Sequence, residues 1–306
     1  MKAAICTAYG GPEVIQILEA PKPKVKANHV LVKIHASAVN SGDARVRGLQ
    51  VSGILRLFMR LVLGITKPRK AILGTVYAGV VEAVGVGVIK YKIGDEVYGL
   101  TGFNFGGHAE FIAVNENSVM YYKPKNASFE EAAAIAFGGQ TAHYFLHKSR
   151  LSATAHMKVL IYGASGSVGS AALQIAQYYQ ADVTAVCSES SNAFVQQIGV
   201  QKIINYEKTN LTSIKEKYDL IFDAHGSIKK GNIQHLLSPN AHFFSVGAMD
   251  YAKESIDQLK FLNHLFESGK YQVCIDKSYS LDDIVEAHRY VDTGKKKGNV
   301  VLKIIN

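Results

Sequence analysis

Three cysteines, Cys6, Cys187 and Cys274, are all that 306 residues contain, and they lie far apart. So few thiols exclude a disulfide framework and a cysteine-built zinc lobe, and they fit a reducing, cytoplasmic compartment. No run of about 18 uncharged apolar residues occurs, so no membrane-spanning helix is expected. The N-terminus reads MKAAICTAYGG. One lysine and a short apolar run ending in glycines is too little for a secretory leader. Internal repeats and low-complexity tracts are also missing. The net charge is +9, yet the lysines are scattered and no nucleic-acid-binding motif appears. The charge therefore reads as a solvated surface with attraction for an anionic cofactor.

What is present is globular. Apolar residues make up 48% of the chain and charged residues 19%, enough for one large α/β domain or two modest ones. The first 125 residues look β-rich. HVLVKIHASAVN (29–40) alternates over its first half, as a half-buried strand does. Across 78–100, Gly94-Asp95 reads as a hairpin turn between two strands, and HAEFIAVN (108–115) is another strand. Together they predict a compact β-barrel-like unit. GILRLFMRLVLGI (53–65) interrupts it as a helix with Arg56 and Arg60 on one side. Its readings are a lid over a cleft, packing against the parent domain, or contact with a membrane surface.

From residue 126 the style changes. Ser128 and Glu131 form a capping box. Strands at Val159–Tyr162, Val183–Cys187, Lys202–Tyr206, Leu220–Ala224 and Phe243–Val246 then alternate with helices, which implies a parallel sheet. Near the end, Ser280 and Asp283 read as another capping box, Gly294 stops the helix, and NVVLKII is a last strand. The organisation expected is a discontinuous first domain, 1–125 plus 270–306, with a Rossmann-type domain, 126–269, inserted.

The stretch YGASGSVG places Gly163, Gly166 and Gly169 between an apolar strand and a helix whose Val168, Ala172, Ile175, Ala176 and Tyr179 share one face. Gly163 permits a tight turn, Gly166 lets backbone approach a pyrophosphate, and Gly169 lets the helix pack on the strand. With Ser165, Ser167 and Val168, these glycines are the candidate phosphate cradle at a helix N-terminus. The spacing is Gly-x-x-Gly-x-x-Gly rather than Gly-x-Gly-x-x-Gly, so a turn without ligand and a methyl-donor site stay as alternatives. The second strand ends in Cys187-Ser188-Glu189-Ser190-Ser191. Ser188 stands where an acid would bind the ribose of NAD, and serines suit a 2′-phosphate. NADPH is therefore the expected cofactor, with NADH kept open because of Glu189.

These residues carry a pattern. AVNSGDARVRG, GTVYAGVVEAVG, KIGDEVYGL, FGGHAEF, AFGGQTAHYFL, YGASGSVG and EAHRYVDTGKKKGNVVL occur in order along nearly the whole chain. The chain resembles the zinc-independent, quinone-oxidoreductase-like branch of the medium-chain dehydrogenase/reductase superfamily. The resemblance implies a GroES-like catalytic domain with a Rossmann domain and the cofactor in the cleft. It assigns Asn40 and Thr141 to the nicotinamide end, and Ser188, Ser191 and Tyr206 to the adenosine phosphate. Val246, Gly247 and Asn299 are assigned as cofactor contacts. Asp43 completes Asn-x-x-Asp, as a catalytic or a capping carboxylate. The resemblance also implies hydride transfer to a quinone or an α,β-unsaturated carbonyl. An alcohol or aldehyde reductase and a non-catalytic NADPH-binding protein are its alternatives.

Two departures stand out. Zinc-bearing relatives use a Cys near residue 40 and a His-Glu pair after Leu73-Gly74. Here those places hold Asn40-Ser41-Gly42-Asp43 and Thr75-Val76, so no zinc is expected. His143 and His147 have helical metal-like spacing but sit beside aromatics, and His108 reads as cleft-lining or as a structural hydrogen bond. After HFFSVGAMD the family's sixth strand cannot be found. This predicts a five-stranded sheet and puts the usual sheet-extending homodimer interface in question.

Overall fold

A computed structural model describes residues 1–50, 53–154, 156–247 and 250–305, the side chains of 53–56 and 58 excepted. The chain divides into two compact units, Met1–Phe137 with Ile275–Asn306, and Gly138–Cys274.

The first unit opens with β1 (Lys2–Cys6) and β2 (Ile15–Glu19), an antiparallel pair. Its main sheet is built around β3 (His29–Val39). Helices α1 (Ser41–Gly48) and α2 (Gly53–Leu63) follow, then β4 (Val76–Val84), β5 (Glu96–Leu100), β6 (Phe111–Asn115) and β7 (Met120–Tyr122). β3 pairs with β4, with β6 over its first half, and with the chain's last strand over its second half. That central position explains a departure from the sequence pattern. Val30, Leu31 and Val32 are all buried, rather than alternating, because both faces of β3 are covered. The expected two-residue hairpin at Gly94-Asp95 is instead the end of a longer connection between β4 and β5. Gly94 supplies its left-handed bend at φ +92°.

In α3 (Phe129–Lys148) the expected capping box is present: Glu131 N donates to Ser128 Oγ (3.1 Å) and Ser128 N to the Glu131 carboxylate (2.8 Å). The second unit is a parallel sheet of β8 (Lys158–Tyr162), β9 (Asp182–Cys187), β10 (Lys202–Asn205), β11 (Tyr218–Asp223) and β12 (Leu237–Ser245), in the order β10-β9-β8-β11-β12. Five strands are thus present among the described residues. The crossover from β8 to β9 is α4 (Ser167–Tyr178), and the one from β9 to β10 is α5 (Asn192–Gln197). Instead of one apolar face, α4 is buried at every residue from Ser167 to Ala176. After β11 come α6 (Lys230–Ile233), β12 and α7 (Ile256–Glu267). Leu259, Leu262 and Leu265 of α7 are fully buried, as their spacing predicts.

The first unit resumes with β13 (Ile275–Ser280), α8 (Ile284–Asp292) and β14 (Asn299–Lys303). β13 pairs parallel with β14, and β14 antiparallel with β3. β13 reads as polar, IDKSYS, and the sequence pattern did not mark it as a strand. Asp283 N donates to Ser280 Oγ (3.2 Å), but α8 begins only at Ile284, so this pair forms the preceding turn rather than a capping box. Gly294, at φ +69°, ends the helix as expected. Among the described residues no helix is long and apolar enough to cross a membrane.

Candidate functional site

The glycine turn follows β8 and assigns its three glycines different work. Gly163 sits at φ +72°, a left-handed conformation that favours glycine, and a Cβ there would lie 2.8 Å from His225 Cβ. A Cβ on Gly169 would meet the Gly163 carbonyl at 2.2 Å, so α4 packs directly on the turn. Gly166 is different. It caps α4 with extended backbone, and an added Cβ would find nothing nearer than 3.6 Å. The protein's own packing therefore does not demand a glycine there, and the space in front of it is open. The first-turn N–H groups of Ser167, Val168 and Gly169 belong to this helix end, with its partial positive charge. Ser165 and Gly166 are partly exposed beside it. This is a cradle that an anion fits.

Around it, Gly163 N and Ala164 N both donate to Val186 O at 3.1 Å, tying the turn to β9. At the tip of β9, Ser188 Oγ is 3.1 Å from the hydroxyls of both Ser190 and Ser191. Glu189 does not stand alone there. It forms an ion pair with Lys208 and accepts from Asn205 Nδ2 (3.1 Å), and Lys208 holds its carboxyl below the usual carboxylate range. The 188–191 loop, Ser-Glu-Ser-Ser, contains no Lys or Arg of its own. Lys208 reaches that loop from the segment after β10. Tyr206, 46% exposed, leans at a tilt toward Tyr162, with ring centroids 6.0 Å apart. Both tyrosines, Lys208, Ser227, Ile228 and Asn232 line a cavity of about 490 Å³.

A residue missed from sequence organises the next two strand ends. Asp223, fully buried at the end of β11, accepts from His225 N (3.1 Å), Gly226 N (2.8 Å), Ile228 N (2.8 Å) and Ser245 Oγ (2.9 Å). Four donors offset the desolvation of the carboxylate. The loops after β11 and β12 touch backbone to backbone. A Cβ on Gly247 would lie 2.3 Å from Gly226 O, and Val246 N donates to Asp223 O (3.0 Å). The signal was an aspartate closing an apolar strand ahead of Ala-His-Gly-Ser, a pattern for side-chain-to-backbone turns. Thr141 lies partly exposed on α3, three residues from Gly138. There α3 approaches α4 so closely that a Cβ would meet Ser167 O at 2.5 Å.

In the first unit, Asn40 caps α1. Its Oδ1 accepts from Gly42 N (2.7 Å) and Asp43 N (3.1 Å), and its own N donates to Asp43 Oδ2 (3.0 Å). Asp43 is fully buried, and desolvation pushes its carboxyl up to about 7 against three backbone donors. Asn40 Nδ2 donates to Thr75 Oγ1 at 2.8 Å. Asn299 starts β14 where Val300 pairs with Val39, so it sits at the same end of the ladder as Asn40. His108 Nε2 bonds Ala38 O (3.1 Å) in the buried interior, a structural role. His143 stacks on His147 and meets Phe261 at a tilt. Among the described residues no three His, Cys, Asp or Glu converge as a metal site. The expected side-by-side placement of Arg56 and Arg60 lies outside the described residues, because the Arg56 side chain is not among them.

A barrel-like unit with a capped Asn-x-x-Asp turn and a parallel-sheet unit with an open glycine cradle define a nucleotide-dependent oxidoreductase of the dehydrogenase type. The known proteins agree. The model "Alcohol dehydrogenase GroES-like domain" matches residues 26–125, and "Zinc-binding dehydrogenase" matches 198–302. A 2-methylene-furan-3-one reductase of Solanum lycopersicum is 32% identical over 99% of this chain and 79% of its own length. An NADPH-dependent alkenal/one oxidoreductase of Arabidopsis thaliana is 31% identical over the same shares. The solved quinone oxidoreductase of Coxiella burnetii superposes with a TM-score of 0.84 at 25% identity, covering 100% of this chain and 99% of that one. The chain belongs to the zinc-independent, quinone-oxidoreductase-like branch of the medium-chain dehydrogenase/reductase superfamily. The zinc in the second description does not fit here. The positions that the resemblance aligns with zinc ligands hold a neutral amide and a hydroxyl bonded to each other, not the thiolate, imidazole or carboxylate of which zinc sites are built.

Proposed function

We propose that this chain is an NADPH-dependent reductase that transfers hydride, without a metal, to quinones or α,β-unsaturated carbonyls. The observation that carries the reading is Gly166, a glycine that the protein's own packing does not require, at the mouth of a helix N-terminus. Gly163, Ser165, Gly166, Ser167, Val168 and Gly169 hold the pyrophosphate. Ser188, Ser191 and Tyr206 receive the adenosine phosphate, and Val246, Gly247 and Asn299 contact the cofactor. The preference for NADPH draws support from the named Arabidopsis relative. A reducing, cytoplasmic setting is in keeping with so few cysteines, three in 306 residues and far apart in sequence.

When bound, NADPH supplies the hydride. The chain's residues position and polarise. Asn40 and Thr141 are assigned to the nicotinamide end. Asp43 is a positioning residue that locks Asn40 into its cap. Thr75 Oγ1 accepts from Asn40 and so keeps its own proton to donate to the acceptor's oxygen, where negative charge develops. An acceptor that delocalises that charge needs no Lewis acid, and solvent supplies the final proton. Tryptophan-free protein suits a direct test by nucleotide fluorescence. NADPH is titrated first, then its oxidation is followed against quinones and enones with and without a zinc chelator. Expected are saturable binding and chelator-insensitive turnover. Absence of nucleotide binding, or loss of turnover with the chelator, overturns the reading.

A further inference from the structure

We infer that the first unit carries a docking patch for an anionic lipid surface, built on the end of α2 and the loop after it. The inference stands independently of the reductase reading. From Ala44 to Val81 the chain has no Asp or Glu but seven Arg or Lys, five of them between Arg56 and Lys70. The same stretch exposes large aliphatics close together: Leu57 (64% exposed), Leu61 (58%), Val62 (52%) and Ile65 (63%). Leu57 and Leu61 lie one helical turn apart on one side.

The patch is built rather than loose. Arg69 N donates to Leu63 O (2.6 Å), Arg69 Nη2 to Leu61 O (2.9 Å), and Tyr9 Oη to Gly64 O (2.9 Å). These bonds fold the loop back on the helix end, so Lys67, Arg69 and Lys70 stand exposed beside the aliphatics. Positive charge at a helix C-terminus also complements its dipole. A lipid interface takes both features at once. Aliphatic side chains enter the boundary below the headgroups while cations pair with the phosphates above. An acidic peptide or a polynucleotide would match the charges and leave the aliphatics exposed. At eleven residues α2 is too short to span, so the patch lies on the surface.

The test is sedimentation of the full chain with vesicles of phosphatidylcholine alone, or with about 30 mol% phosphatidylserine to give an anionic surface. Expected is binding to the anionic vesicles at low salt, weakened by high salt, and little binding to the neutral ones. Lys67→Glu with Lys70→Glu lowers the partition coefficient at least about 25-fold, about fivefold for each cation lost. Leu57→Glu with Leu61→Glu lowers it about tenfold or more, through lost apolar burial. The control pair Lys270→Glu with Lys295→Glu reverses exposed charges elsewhere on the chain and leaves partitioning within about twofold, because surface attraction is local. All these positions are exposed, so thermal unfolding serves as the folding check. Failure to bind anionic vesicles overturns the inference, as does equal loss in the control pair or an unaffected leucine pair. Capture by an acidic peptide or polynucleotide in place of vesicles overturns it too.

Discussion

Asn40 and Thr75 are joined by a 2.8 Å hydrogen bond from Nδ2 to Oγ1, across the two positions where zinc-bearing relatives carry ligands. Asn40 is buried, and its Oδ1 is already occupied by two backbone donors. Thr75→Val therefore leaves a buried amide donor without its acceptor, at a cost of about 1–3 kcal/mol. Urea midpoints report this loss directly. Turnover with an enone falls while the NADPH dissociation constant stays put, because the hydroxyl acts on the acceptor. Elemental analysis of the purified chain is expected to give far less than one zinc per chain.

Gly166 and Gly169 separate binding from folding. Gly169→Ala forces α4 off the Gly163 carbonyl, and overpacking of that kind costs about 1–3 kcal/mol. Gly166→Ala meets ordinary contact distance and is expected to fold, losing at most about 1 kcal/mol because alanine caps a helix less well than glycine. Its methyl group stands where phosphate oxygens approach, so NADPH affinity falls at least about tenfold. A Gly166→Ala variant that binds as the parent does removes the main support for the cradle.

Lys208 is held beside the serines after β9 by its ion pair with Glu189. An exposed ion pair contributes little by itself, so Lys208 is readily released to a 2′-phosphate. Lys208→Ala is expected to raise the dissociation constant for NADPH about tenfold, the size of a screened charge-assisted bond. NADH stays within about twofold. Calorimetry with 2′-phosphorylated and unphosphorylated adenosine fragments reads the same difference without turnover. Equal losses for both nucleotides count against this role.

The second unit was legible because its signals are local. An apolar strand, a glycine turn and a helix follow one another in YGASGSVG, and each of the five strands contains a short apolar run, although β12 begins earlier, at Leu237, through a polar stretch. What escaped depends on partners distant in sequence. β13 is polar and becomes a strand only by pairing with β14. The alternation expected in β3 fails because both of its faces are buried, with Val30, Leu31 and Val32 all out of solvent. Lys208 meets Glu189 across nineteen positions of chain, and no spacing rule joins them. Asn40 was legible as a site residue but not as the donor to Thr75, thirty-five positions away. His108 has a bond to Ala38 that only the folded sheet supplies.

Two buried imidazoles set the acid limit of stability. His108 and His288 lie edge to face, centroids 5.8 Å apart, with Arg47 beside His288. Burial holds His108 down at about 4 and His288 well below 6.5. Below about 6.5 the unfolded chain binds protons that the fold refuses. The histidines' contribution to stability is therefore full above that pH and falls toward pH 4, by up to about 3 kcal/mol for His108 alone. Asp43, raised to about 7, acts with opposite sign, contributing most below about 4 and losing that contribution as pH rises through 7. Neither ring nitrogen of His288 has a partner among the described residues. His288→Leu is thus expected to keep or raise the urea midpoint at pH 7.5 and to flatten the fall toward pH 4.5. An unchanged acid slope contradicts the assignment.

β12 is the outer strand of the parallel sheet, and its edge is interrupted. Its pairing with β11 jumps from Tyr218↔Leu237 to Leu220↔His242, leaving Ser238 to Ala241 looped out. Pro239 has no N–H to offer another strand, and Asn240 turns left-handed at φ +63°. Both devices blunt an edge against pairing. Among the described residues no strand follows between Ser245 and α7, which starts at Ile256. Among the described residues, the strand that would join a sheet-extending dimer is therefore not present. Light scattering is expected to give a mass near that of one chain, 33.3 kDa, or a dimer whose β12 amides exchange as fast as those of the dilute protein. A doubled mass with β12 amides gaining protection as concentration rises would show the edge in use after all.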